Sequence, residues 1–234
     1  MAIATWLSFW ERPNRIYVSE RHRAVHYAQV AADLLSILPP GGDSVLLDYG
    51  CGEALEAPSV AARLGRLLLY DAARPVRERL AARFAGARNI AVLDERGLDA
   101  LPPASLDRVV VNSVLQYLPR DALPPLLARC HGWLRPGGAL VLADVVPPRQ
   151  SAVAAALSLL RTGWRHGFLL AAVAGLAATF ASDYRRLRQQ AGLTTYDEAA
   201  MRALLEDAGF AAERRARNFG FDQGRMTFLA RKGN

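Results

Sequence analysis

Val45-Leu46-Leu47-Asp48-Tyr49-Gly50-Cys51-Gly52 is the stretch that decides the fold. Its apolar run is too short for a helix and carries no alternation, which is the pattern of a strand covered on both faces, as in a parallel sheet flanked by helices. The run ends in an acid and two glycines. Glycine takes positive φ at no steric cost and lets the backbone approach a ligand closely, at the carboxyl edge where such sheets bind their cofactors. Asp71, at the end of the next apolar run, stands at roughly the 20-residue separation at which a carboxylate accepts hydrogen bonds from both ribose hydroxyls of a nucleoside.

Working outward, further Val-, Ile- and Leu-rich runs occupy residues 67–70, 90–93, 109–111 and 139–145. Amphipathic patterns separate them, such as Val76, Leu80 and Phe84 among arginines, so the chain reads as a doubly wound α/β sheet. Ahead of it, Ser19 can cap a helix through Val25, Val30, Leu34 and Leu35 that Pro39, Pro40, Gly41 and Gly42 end; it is a candidate lid. Beyond Pro147 and Pro148, residues 152–182 are apolar apart from the surroundings of Arg161 and Arg165. Thr195 with Glu198 predicts a capping box, Gly209 a helix end, and residues 211–218 and 226–231 a closing pair of strands. The expected organisation is an arm and lid helix over 1–42, a core over 43–150, an apolar helical insertion over 151–192, and the closing helix and strands over 193–234.

The chain has 234 residues, 52% of them apolar and 22% charged, and a net charge of +7. That composition belongs to a globular protein. Every basic residue but Lys232 is arginine, dispersed along the chain, so the compact basic footprint of a nucleic-acid binder is missing and none is expected as a partner. Two cysteines, Cys51 and Cys130, one of them inside the glycine turn, suit a reducing, cytoplasmic setting. Residues 1–10 read as an amphipathic arm, since an apolar start without a basic leader does not look like a secretory signal. Residues 167–181 are apolar but shorter than the ~20 residues that span a bilayer. With Arg161, Arg165, Arg185, Arg186 and Arg188 around them, residues 152–188 suit a peripheral membrane contact, a buried cap or a homodimer face.

The segment Leu47-Asp48-Tyr49-Gly50-Cys51-Gly52 resembles the first motif of the class I S-adenosylmethionine-dependent methyltransferases, and the resemblance extends over the core. It implies a Rossmann-like, mostly parallel sheet with a reversed C-terminal strand hairpin, and S-adenosylmethionine as cofactor. Asp48, Gly50, Cys51 and Gly52 match the cofactor turn, and Asp71, followed by Ala72, matches the ribose acid. Asp94 or Glu95 lies near the acid that approaches adenine, with Asp99 also open. Asn112-Ser113-Val114-Leu115-Gln116-Tyr117-Leu118 resembles the segment lining the methionine moiety, and Leu134-Arg135-Pro136-Gly137-Gly138-Ala139-Leu140 the turn into the fifth strand. One departure is Ala54, preceded by Glu53, where the family has a third glycine; alanine does not adopt positive φ cheaply, so the loop is expected to close differently. A dehydrogenase is disfavoured because Leu55 stands where G-x-G-x-x-G needs glycine. Methyl transfer is an in-line displacement in which positioning supplies much of the rate. If the acceptor must lose a proton, His22, His26 and Tyr117 are the candidate catalytic groups. His22 and His26 have metal-ligand spacing but no third ligand close by in sequence, so no metal is expected. The base-methylating sequence Asn-Pro-Pro-aromatic is absent, which favours a small-molecule acceptor, hydrophobic or lipid-like if the insertion covers the pocket. The second class of function is a cofactor-binding relic that regulates or scaffolds a partner.

Overall fold

A computed structural model describes residues 2–12, 16–39, 42–179 and 192–233. Two helices, α1 (Ala2–Trp10) and α2 (Glu20–Leu35), precede the first strand, β1 (Val45–Tyr49). There follow α3 (Ala57–Ala61), β2 (Arg66–Tyr70), α4 (Arg74–Phe84), β3 (Ile90–Val92), α5 (Glu95–Asp99), β4 (Leu106–Asn112), α6 (Leu123–Trp133) and β5 (Leu134–Val145). The chain continues through α7 (Ala152–His166) and α8 (Leu169–Thr179), then α9 (Glu198–Asp207), β6 (Phe210–Arg214) and β7 (Met226–Lys232). The seven strands form one sheet in the order β3-β2-β1-β4-β5-β7-β6. Strands β1 to β5 run parallel, and β7 is antiparallel to both neighbours.

The apolar runs are continuous because both faces of the sheet are covered. Leu47, Leu68, Val109, Val111, Leu140 and Leu142 face one layer, built on Leu98 of α5, Leu127 and Trp133 of α6, and Met201 and Leu205 of α9. Their neighbours Leu46, Leu67, Leu69, Val110, Val141 and Ala143 face the other, with Leu34 of α2, Val60 of α3 and Leu80 and Phe84 of α4. Period-two alternation thus sends every second apolar side chain to each layer.

Several local readings sharpen. Ser19 caps α2, its hydroxyl accepting from the His22 amide at 3.1 Å. The cap of α9 is Asp197, which accepts from the Ala200 amide at 2.8 Å, and not Thr195; a carboxylate three residues before the amide satisfies the helix end better than the more distant hydroxyl. Among the described residues the apolar insertion forms two helices: the chain breaks at Gly167, left-handed at φ 75°, directly after α7. The part of the insertion over 180–191, with Arg185, Arg186 and Arg188, lies outside the described residues. Among those described, no helix is long and apolar enough to cross a membrane. At the amino edge, buried Asp107 accepts from the Val45 amide at 2.8 Å and pairs with Arg135. It pins β1 to β4 on the side away from the glycine turn.

Candidate active site

The carboxyl ends of β1 and β2 are bound to each other through the backbone of the turn. The amides of Gly50 and Cys51 donate to the Tyr70 carbonyl at 2.7 and 3.1 Å, and the Gly52 amide donates to Asp71 Oδ2 at 3.0 Å. The other Asp71 oxygen accepts from the Ala73 amide at 2.9 Å. Each carboxylate oxygen retains capacity for a further donor, as a ribose diol requires. Gly50 is left-handed at φ 84°, and a Cβ there would lie 2.2 Å from Val114 Cγ2 on the loop after β4. Only glycine fits this close approach of β1 to β4.

Burial and the neighbouring Asp71 carboxylate push Asp48 up to about 7. Burial also raises Asp71, against the two amides and Arg77. A cationic ligand at this edge relieves that repulsion. Cys51 contributes its amide to the turn, while its thiol is buried and raised by desolvation; neither Cys51 nor Cys130 is in a disulfide.

Arg77 ties together the acids of β2 and β3. It donates to the carbonyls of Asp71 and Ala72 at 2.6 and 2.8 Å and pairs with Glu95 at 3.0 Å. Asp94 caps α5 by accepting from the Gly97 amide at 2.8 Å. Asp99, by contrast, pairs with Arg129 of α6 at 2.7 Å. Of the three acids considered for adenine, Glu95 is therefore linked to Asp71 through Arg77, Asp94 is held at the start of α5, and Asp99 is engaged with α6.

Beside this crevice a cavity of about 200 Å³ is lined by Asn112 at the end of β4 and Ser113 after it, Asp144 at the end of β5, and His22, His26 and Val30 of α2. The loop before β7 and one face of α7 complete it. Its floor is a polar cluster absent from the sequence reading. Asp144 accepts from Ser113 Oγ at 2.7 Å and from Asn218 Nδ2 at 3.3 Å, and it pairs with Arg225. Asp222 lies 3.6 Å from Arg225 Nε. Only the acid at the end of an apolar strand could have signalled Asp144, and nothing local marks Arg225.

The predicted catalytic residues separate here. His22 and His26 both line the cavity, and burial lowers each to about 4, so both rings are neutral at pH 7. The Nδ1 of His22 accepts from the Val18 amide at 3.3 Å, which puts its proton on Nε2 and makes it a donor. No such bond assigns the tautomer of His26, which remains free to accept. Tyr117 does not line the cavity: its ring packs 4.7 Å from Trp6 and 5.4 Å from Trp10 of α1. The aromatic arm at the N-terminus, read as amphipathic, packs on the ring of that tyrosine. Helix α2 joins the two halves of the site, because its Tyr27 hydroxyl accepts from the Glu53 amide at 2.9 Å in the glycine turn.

A family model described as a methyltransferase domain matches residues 47–142. An uncharacterized methyltransferase of Mycobacterium tuberculosis is 33% identical over 115 residues, which cover 49% of this chain and 57% of that protein. The chain thus matches little more than half the length of that relative. Carboxy-S-adenosyl-L-methionine synthase of Dichelobacter nodosus is 28% identical over 211 residues, 86% of this chain and 84% of that one. Among solved structures, the YcgJ protein of Bacillus subtilis superimposes with a TM-score of 0.60 at 11% identity, over 89% of this chain and all of that one. A S-adenosylmethionine-dependent methyltransferase of Leishmania major gives 0.60 at 13%, over 98% and 82%. The strand order with its reversed last pair, the glycine turn tied to Asp71 and the methyltransferase-domain match over residues 47–142 together support a class I S-adenosylmethionine-dependent methyltransferase.

Proposed function

We propose that the protein transfers a methyl group from S-adenosylmethionine to a small-molecule acceptor held in the cavity between α2, α7 and the loop before β7. The observation that carries this reading is the placement of that cavity against Asn112 and Ser113, beside the cofactor turn on the same edge of the sheet. When bound, S-adenosylmethionine supplies an electrophilic methyl carbon. Asp71 and the Gly50–Gly52 backbone would hold it, with Asp94 or Glu95 toward the base, and the buried carboxylates of Asp48 and Asp71 suit a cation.

The chain's own residues favour a neutral acceptor. Two carboxylates, Asp144 and Asp222, face the single guanidinium of Arg225 in the cavity, so an anion gains little there. His22 donates from Nε2 and orients an acceptor oxygen, while His26 takes its proton. General-base catalysis contributes about 10²–10⁴-fold, and a base lowered to about 4 is weaker than an ordinary imidazole, which sets its share at the low end, about 10²-fold. His26→Gln is expected to lower kcat by that factor with unchanged cofactor affinity. Because the base must be neutral and burial lowers it, the acid limb of the wild-type rate lies near 4 instead of 6.5.

The test is transfer of labelled methyl from the cofactor to a panel of neutral phenols, alcohols and amines, read alongside calorimetry. Cofactor binding without transfer to any acceptor, including a cell extract, would favour a regulatory or scaffold role.

A further inference from the structure

Helix α7 presents two different faces. Ala155, Ser158, Leu159 and Thr162, at one-turn spacing, line the acceptor cavity. The opposite stripe is apolar and exposed: Val153 is 70%, Leu157 56% and Trp164 76% accessible, and α8 adds Leu170 at 87% and Val173 at 53%. Among the described residues, every exposed large apolar side chain except Leu35 lies on this helical pair. Scattered apolar exposure is ordinary, but a concentration of this kind marks an interaction surface.

The pair is fixed to the catalytic half of the molecule. Gly175 packs so closely on Val18 that a Cβ would lie 2.1 Å from Val18 Cγ1, and the Arg21 guanidinium donates to the His166 carbonyl. Both contacts lie at the start of α2, which carries His22 and His26. What covers the stripe is decided by charge. From 145 to 182 the sequence has Arg149, Arg161 and Arg165 and no Asp or Glu, and Arg161 and Arg165 follow Leu157 at four-residue steps along the edge of the apolar stripe. A two-fold contact between copies would bring two basic faces together with no carboxylate in this segment to offset the like charge. An anionic lipid surface supplies the missing charge, and an exposed tryptophan beside arginines is the composition of a helix lying in the headgroup region.

We propose that α7 and α8 dock the protein flat on an anionic bilayer. Resting in addition on the methyl-transfer reading above, the acceptor is then an amphiphile whose polar head enters the cavity along the inner face of α7 while its chain stays in the lipid.

Co-sedimentation of the full chain with vesicles of phosphatidylcholine alone, and of phosphatidylcholine mixed with phosphatidylglycerol, tests the docking without reference to activity. Wild type is expected to pellet with the mixed vesicles at low salt and to be released as salt rises. Arg161→Gln and Arg165→Gln should each lower the partition coefficient roughly fivefold, and Trp164→Ser should weaken binding at any salt. Calorimetry with S-adenosylmethionine on each variant confirms that the site is folded. Wild type remaining in the supernatant with both vesicles overturns the proposal, as does a Trp164→Ser variant that pellets like wild type. So does a stable dimer in solution that Trp164→Ser dissociates, since the face would then meet a second copy. Loss of methyl transfer with vesicle binding intact would count against the catalytic reading alone.

Discussion

Ala54 occupies the left-handed region at φ 42°, so the turn closes as it would with glycine despite the extra methyl. The sequence suggested a differently closed loop; the backbone instead accepts about 1–2 kcal/mol of strain. Two terms offset it. The methyl is buried, at 6% accessible, which contributes about 0.8 kcal/mol, and alanine reduces the freedom of the unfolded chain by about 0.4–1 kcal/mol. Ala54→Gly should therefore change the unfolding free energy by less than about 1 kcal/mol, with cofactor affinity unchanged. Ala54→Val, β-branched in a left-handed and packed position, should cost about 2 kcal/mol or more. Denaturant melts of the two variants check this; a large gain from glycine would show that the methyl does nothing in the fold. Ser113 and Asp144 are also left-handed, at φ 58° and 62°, and both line the cavity. Among the described residues, Ala104 alone of the non-glycine residues in this conformation lies away from the carboxyl edge, so backbone strain gathers where ligands would bind.

At the scale of elements, the insertion of β7 between β5 and β6 assembles the cavity floor. It brings Arg225, just ahead of β7, onto Asp144 at the end of β5, 81 residues earlier. Burial raises Asp144, and Arg225, Ser113 and Asn218 oppose the shift. Arg225→Met removes the counter-charge and should cost about 3–5 kcal/mol at pH 8, where the carboxylate is left ionised and unpaired. The sign with pH follows from the proton count. Asp144 in the variant titrates still further above its unfolded value, so the native state binds the extra proton as pH falls, and the deficit shrinks toward pH 5. Equal deficits at both pH values in denaturant titrations would show that the pair is not the source. This seam was also the least legible part of the chain. The five parallel strands could be read because burial on both faces leaves continuous apolar runs, and the cofactor turn because its glycines and acids are close in sequence. The Asp144 and Arg225 pair depends on an antiparallel crossover that no local pattern encodes. The packing around Tyr117 was illegible for a related reason, since Trp6 and Trp10 reach its ring from an arm far away in sequence. The break at Gly167 had a local signal, a glycine after Arg165 and His166 at a helix end, masked by apolar residues on both sides.

Taken as one molecule, the sheet separates two packed layers, and both halves of the site lie along a single edge of it. Helix α2 spans that edge. Tyr27 holds the glycine turn through the Glu53 amide, while His22, His26 and Val30, on the same helix, wall the neighbouring cavity. A ligand that orders the turn should therefore order α2 as well, and so shape the cavity before the acceptor arrives. Binding to the native state alone at one hundred times Kd contributes about 2.7 kcal/mol. For a domain of this size each kcal/mol moves Tm by about 2–4 °C, so S-adenosylmethionine at that excess should raise Tm by about 5–10 °C. Amide exchange should then show added protection in residues 50–54 and in α2, with the exposed stripe of α7 unchanged. If protection grows in the turn and leaves α2 as it was, the helix only borders the cofactor crevice, and the cavity must be completed by the acceptor itself. If Asp71→Ala abolishes both the Tm shift and the protection of α2, the carboxylate that holds the Gly52 amide is the point from which cofactor binding reaches the helix.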